Sequence, residues 1–168
     1  TAFYPDLTTN YHDFTVPLNW QNFIPDATTL PVRVLLTTYL DGVSIGTDEK
    51  YFTMSLSDDA YPTITSVTAA LVSNGVPAAI TRYVQNKSKS TVTINGAAGA
   101  YGSTIASYSI TGNGQTVSAA SGTFGVFPTA GSVTMLGRVT DSRGRSRNAS
   151  ATIVVDAYAT PTLLNPFA

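Results

Sequence analysis

His12 and Asp13 are the one adjacent histidine–carboxylate pair in the sequence, and a hydrolase built on them would use the imidazole as general base. Such a site also needs an activated nucleophile and an oxyanion hole. No G-x-S-x-G turn is present to supply the nucleophile. Neighbours on an extended chain point to opposite sides, so the pair is expected in an exposed loop and not in a dyad. Glycoside hydrolysis would need two carboxyl groups about 5 to 10 Å apart across a cleft. Asp58 and Asp59 are consecutive, and the second half of the chain otherwise holds only Asp141 and Asp156, the former in a turn where a bond to the backbone explains it. The sequence therefore predicts no enzyme.

Metal chemistry is equally poorly supplied. With no Cys, one His and Glu49 as the sole glutamate, thiolate zinc, iron–sulfur and multi-histidine sites are excluded, and no cofactor is expected. Asp58-Asp59 is a place where calcium could stiffen a linker. Calcium takes six to eight oxygens, however, and no D-x-D-x-D-G loop exists.

Sugar and phosphate recognition are better provided for. Nine tyrosines are present, and Tyr83 and Tyr101 fall in loop-like sequence where an aromatic face can stack on a glycan. Lys87 and Lys89 share a parity beside Tyr83, which makes these four residues the candidate ligand-binding set. Arg143, Arg145 and Arg147 also alternate, so on a strand they form a basic stripe. Such a stripe either meets anionic polymer or a neighbouring protein, or blunts an edge strand against aggregation, and the protective role is favoured. Charge is split along the chain: residues 1–60 hold eight acids and two bases, residues 61–168 two acids and seven bases. Opposite signs offer a means of docking the two parts or of pairing neighbouring chains, and solvated surface charge without a partner is the commoner case. The net charge of −1 gives no case for nucleic acid, and the short apolar runs give none for membrane insertion.

The elements that must carry these residues are strands. In 168 residues, 43% are hydrophobic and only 11% charged, with 13 Gly, a composition of strands and turns. Apolar residues recur at period two over 30–39, 51–56, 63–70, 90–94, 104–111, 115–117, 131–140 and 148–155. Asp41-Gly42, Asn113-Gly114 and Asp141-Ser142-Arg143-Gly144 punctuate them as turns. Leu18–Phe23, with the sole Trp, is expected to be a one-turn connector. The expected core of the second half is Val92, Ile94, Ile105, Tyr108, Ile110, Val133, Met135, Ile153 and Val155. Ile105 is out of parity with Tyr108 and Ile110, so a bulge or a late start of pairing is expected there.

Asp59-Ala60-Tyr61-Pro62 and Asp156-Ala157-Tyr158 are alike and lie 97 residues apart, which is 156 minus 59. That spacing is the size of an immunoglobulin-like sandwich. It divides the chain into residues 1–57, a small β module or the end of one; residues 58–158, a complete sandwich; and residues 159–168, a linker or the start of a further module. Asp59, Tyr61, Pro62, Asp156 and Tyr158 are then junction residues. The opening at Thr1, with neither initiator Met nor basic leader, reads as a piece of a longer protein.

Short motifs in order strengthen this organisation. Pro17-Leu18, Ile24-Pro25-Asp26-Ala27-Thr28, Tyr83 to Lys89, Gly99 to Ile105 and Val139 to Arg145 resemble the Ig-like repeat region of minor structural tail proteins. These proteins come from siphophages and prophages of Gram-positive bacteria. The resemblance implies all-β, tandem immunoglobulin-like modules in a phage tail tip, baseplate or fibre. Implied partners are other tail or baseplate proteins, further copies of the chain and host cell-wall glycan. The alternative is a carbohydrate-binding or host-adhesion module of a receptor-binding protein or a bacterial surface protein.

Overall fold

The computed structural model describes residue 13, residues 15–72 and residues 76–163. The first strands are β1 (Thr29–Leu40), β2 (Val43–Ser55), β3 (Ser66–Val72), β4 (Tyr83–Val84) and β5 (Lys89–Asn95). They are followed by β6 (Ile105–Gly112), β7 (Gln115–Val117), β8 (Ser121–Phe124), β9 (Gly131–Asp141) and β10 (Ser146–Asp156). Among the described residues the helical content is two 3-10 segments, Leu18–Phe23 and Asp58–Ala60. The first is the expected connector.

The sheets β3-β5-β8 and β4-β10-β9-β6-β7 pack as an immunoglobulin-like sandwich, and the chain is all-β. Both sheets feed one core: Val67, Val92, Ile94 and Phe124 from the first, Ile110, Met135, Val139, Ile153 and Val155 from the second. Six of the nine expected core residues are buried in it, and Ile105, Tyr108 and Val133 pack half-buried against it. Phe124, Phe127, Val67 and Val139 complete the core without having been expected. Phe124 and Phe127 come from a Gly- and Pro-punctuated stretch that reads as loop. Phe127 plugs the core from the β8–β9 connection and meets the Tyr83 ring edge-on, with centroids 5.6 Å apart.

Turn chemistry follows the sequence. Asn113 (φ 49°) and Gly114 (φ 67°) both take positive φ, the geometry that suits a two-residue hairpin, and Asp41 (φ 47°) and Gly42 (φ 79°) do the same. The irregularity at Ile105 is present: Ile105 pairs with Asp141 and Ser107 with Thr140, leaving Ala106 as the extra residue. The sheets approach closely at Gly137, where a Cβ would lie 2.8 Å from Val67 Cγ2 and 2.9 Å from Ile94 Cγ1.

Residues 29–55 form a sheet of their own, the β1–β2 hairpin. Strand β2 is continuous from 43 to 55, whereas alternation in the sequence marks only 51–56. Tyr83–Val84 and Ser121–Phe124 are strands the alternation did not reveal, being two and four residues long. The Asp-Ala-Tyr repeats take different local forms. Asp59 and Ala60 lie in a 3-10 turn, whereas Asp156 ends β10 and Ala157-Tyr158 continues without regular structure.

Candidate functional site

The most elaborate polar cluster lies where the β9–β10 turn meets the segment before the hairpin. Asp141 is buried, and its Oδ1 accepts the amide hydrogens of Arg143 at 3.1 Å and Arg145 at 2.8 Å. Its Oδ2 faces Ser103 Oγ at 3.4 Å. Gly144 supplies the positive φ (79°) that returns the chain into β10. Held in this way, the Arg143 side chain leaves the sandwich and enters the 3-10 segment.

Arg143 is 7% exposed, so its charge must be met by the protein. Its Nε donates to Ile24 O at 2.9 Å and its Nη1 to Ala100 O at 2.7 Å. Nη2 donates to Gln21 O at 2.9 Å and to Tyr101 O at 2.5 Å. Carbonyl dipoles thus take the place of a carboxylate, and the planar five-donor fork suits several fixed acceptors as a lysine would not. Ser142 Oγ adds a bond to Pro25 O at 2.7 Å.

The neighbouring arginines extend the cluster. Arg145 Nη1 donates to Ser57 O at 2.6 Å, while Ser57 N and Oγ both donate to Gln21 Oε1. The Arg145 guanidinium lies 4.2 Å from the Tyr61 ring centroid and that of Arg147 5.7 Å. Arg147 Nε approaches Pro62 O at 3.3 Å, and Pro62 itself is buried. The arginine stripe is therefore not a free anion-binding face. Strand β10 pairs with β9 over 146–155 and with β4 only at Val155 and Asp156, and the arginine side chains grip the residues that lead into and out of the hairpin. The contact between the two parts uses carbonyls and a tyrosine ring; among the described residues, no salt bridge joins the oppositely charged parts.

The expected ligand set is dispersed. Tyr83 is half-buried, its hydroxyl 3.0 Å from Ser90 Oγ and its ring against Phe127, so it serves as a packing residue. Tyr101 (φ 46°) gives its carbonyl to Arg143. Because Tyr83 pairs with Val155 while Tyr101 adjoins the turn before Ser146, the length of β10 puts them about 30 Å apart, too far for one sugar site. Lys89 begins β5, half-buried. Lys87 lies over the Tyr158 ring, 5.2 Å from its centroid. This pair lines an open groove of about 530 Å³ with Ile80, Arg82 and Asp156, in which Arg82 and Asp156 form an ion pair at 3.1 Å. Asp58 and Asp59 are exposed at the 3-10 turn. Asp13 is exposed too, whereas His12 lies outside the described residues.

Sequence reasoning placed Tyr61 and Pro62 at a junction and Arg143 in a basic stripe, but missed Gln21 and the burial of Arg143 among carbonyls. The available signal was the Asp-Ser-Arg-Gly turn, in which the Asp cap forces the arginine outward.

Three comparisons bear on this chain. A family model described as "Siphovirus protein of unknown function (DUF859)" matches residues 5–165. No curated protein matches. Among solved structures, the chain is similar to the PKD1 domain of Vibrio anguillarum Epp, at 19% identity and a TM-score of 0.41, over 60% of this chain and all of that domain.

Proposed function

Since the chain belongs to the siphovirus protein family of unknown function DUF859, we propose that it is a non-enzymatic structural module of the phage tail, acting as a spacer or attachment unit in the tail tip, baseplate or fibre. The observation that carries this reading is the Arg143 cluster. A spacer must hold its parts at a fixed angle, and a small polar contact between units ordinarily leaves them free to move. Here one buried guanidinium binds four carbonyls from two separated stretches of chain. A non-catalytic role fits the same accounting: among the described residues, every buried side-chain nitrogen and oxygen has a partner, and Asp141, the buried carboxylate, is engaged in its turn. Expected partners are other tail or baseplate proteins.

A second reading, host adhesion through a cell-wall glycan, is favoured by the Lys87–Tyr158 groove, where Tyr158 keeps 38% of its surface exposed. Binding of the purified chain to polysaccharide extracted from host cell walls separates the two. The spacer reading predicts no saturable binding. Saturable binding abolished by Tyr158→Ala, with the thermal transition retained, would replace it by adhesion.

A further inference from the structure

Sixteen large hydrophobic side chains are substantially exposed among the described residues, and nine of them lie in the 27 residues of the β1–β2 hairpin. The register sorts the hairpin into two faces. One carries the pairs Thr29/Ser55, Arg33/Tyr51, Leu35/Glu49 and Thr37/Thr47, laced by Arg33–Glu49 at 3.5 Å and by the Tyr51 hydroxyl on Glu49. The other carries Leu30/Met54, Val32/Phe52, Val34/Lys50 and Leu36/Asp48. Val32 is buried at the base of this second face, but Val34 (41%), Leu36 (55%) and Phe52 (40%) stand open to solvent further out. A two-stranded sheet alone in water is marginal and needs a covering layer, and contiguous apolar surface of this kind marks an interaction site.

Charge on the face selects its occupant. Lys50 and Asp48 sit side by side on β2, 3.5 Å apart and exposed, so the apolar stripe is bordered by one positive and one negative group. A partner of either net charge gains one attraction and one repulsion here. A second copy related by a two-fold axis sets Lys50 against the partner's Asp48 and Asp48 against the partner's Lys50, and in the same register Val34 covers the partner's Leu36 and Leu36 the partner's Val34. We propose that the apolar face of the β1–β2 hairpin is a homodimer interface, closed by reciprocal Lys50–Asp48 pairs between two copies of this chain. The face measures about 40 by 10 Å, which is the scale of a reversible contact and not of an obligate one.

Sedimentation velocity over a concentration series of the intact chain tests this. The wild type is expected to move reversibly from 17.6 kDa to twice that mass as concentration rises. Leu36→Asp, at an exposed position, is expected to stay monomeric with an unchanged thermal transition. Asp48→Lys and Lys50→Asp are each expected to be monomeric alone and to form a mixed dimer when combined. A wild type that is monomeric up to millimolar concentration overturns the proposal. So does a dimer that survives Leu36→Asp, or charge variants that fail to complement each other. None of these outcomes bears on tail placement.

Discussion

Arg143 donates from Nη2 to the carbonyl of Gln21 at 2.9 Å, joining residues 122 positions apart in sequence. The bond lies at the centre of the cluster that ties the segment before the hairpin to the end of the sandwich. Removing the side chain by Arg143→Ala strips donors from the Gln21, Ile24, Ala100 and Tyr101 carbonyls at once. A loss of about 2 to 4 kcal/mol in urea unfolding is expected, together with faster proteolysis between residues 24 and 29. Stability within a few tenths of wild type, with unchanged proteolysis, would show that the cluster holds nothing.

Asp141 anchors that arginine from behind. Its Oδ1 takes both turn amides, and Asn keeps such an oxygen where Ala does not. Asp141→Ala is expected to lose about 1 to 2 kcal/mol more than Asp141→Asn by thermal unfolding. Equal losses would count against the turn geometry.

At the edge of the cluster, Tyr61 gives its ring to Arg145 and Arg147. Tyr61→Phe retains the ring and is expected to be neutral, whereas Tyr61→Ala is expected to cost about 1 kcal/mol. A double-mutant cycle with Arg145→Met reads the coupling directly, and a coupling of zero would contradict the contact.

Gly137 sets the distance between the two sheets. A methyl group there must displace Val67 and Ile94, so Gly137→Ala is expected to destabilise by about 1 to 3 kcal/mol. Trimming the neighbour, as in Gly137→Ala with Val67→Ala, should recover part of that loss. If the single variant is as stable as wild type, the sheets are not packed as described.

How far these features were legible differs with their physical origin. Period-two alternation and Asn-Gly turn chemistry are local signals, and they located most of the long strands, the Asn113-Gly114 turn and the bulge after Ile105. Short strands such as Tyr83–Val84 owe their existence to pairing with β10, which local sequence does not encode. The hairpin was only half legible: the polar run Gly46–Lys50 hid the middle of β2, because a strand whose side chains are nearly all exposed need not alternate. Arg143, Arg145 and Arg147 have strand parity in the sequence, yet only Arg145 and Arg147 stay together, over the Tyr61 ring, while Arg143 lies in the turn and goes to four carbonyls. Tyr83 and Tyr101 were grouped because both read as loop residues. The fold makes one a core buttress and separates them by most of the length of β10.

Immunoelectron microscopy of purified virions, using antibodies raised against the sandwich and gold-labelled second antibodies, addresses the central claim most directly. A structural module of the tail predicts gold particles at the tail tip, baseplate or fibres, at a constant position from one virion to the next. Label confined to the capsid, or a chain absent from purified virions and present only in infected cells, would contradict it.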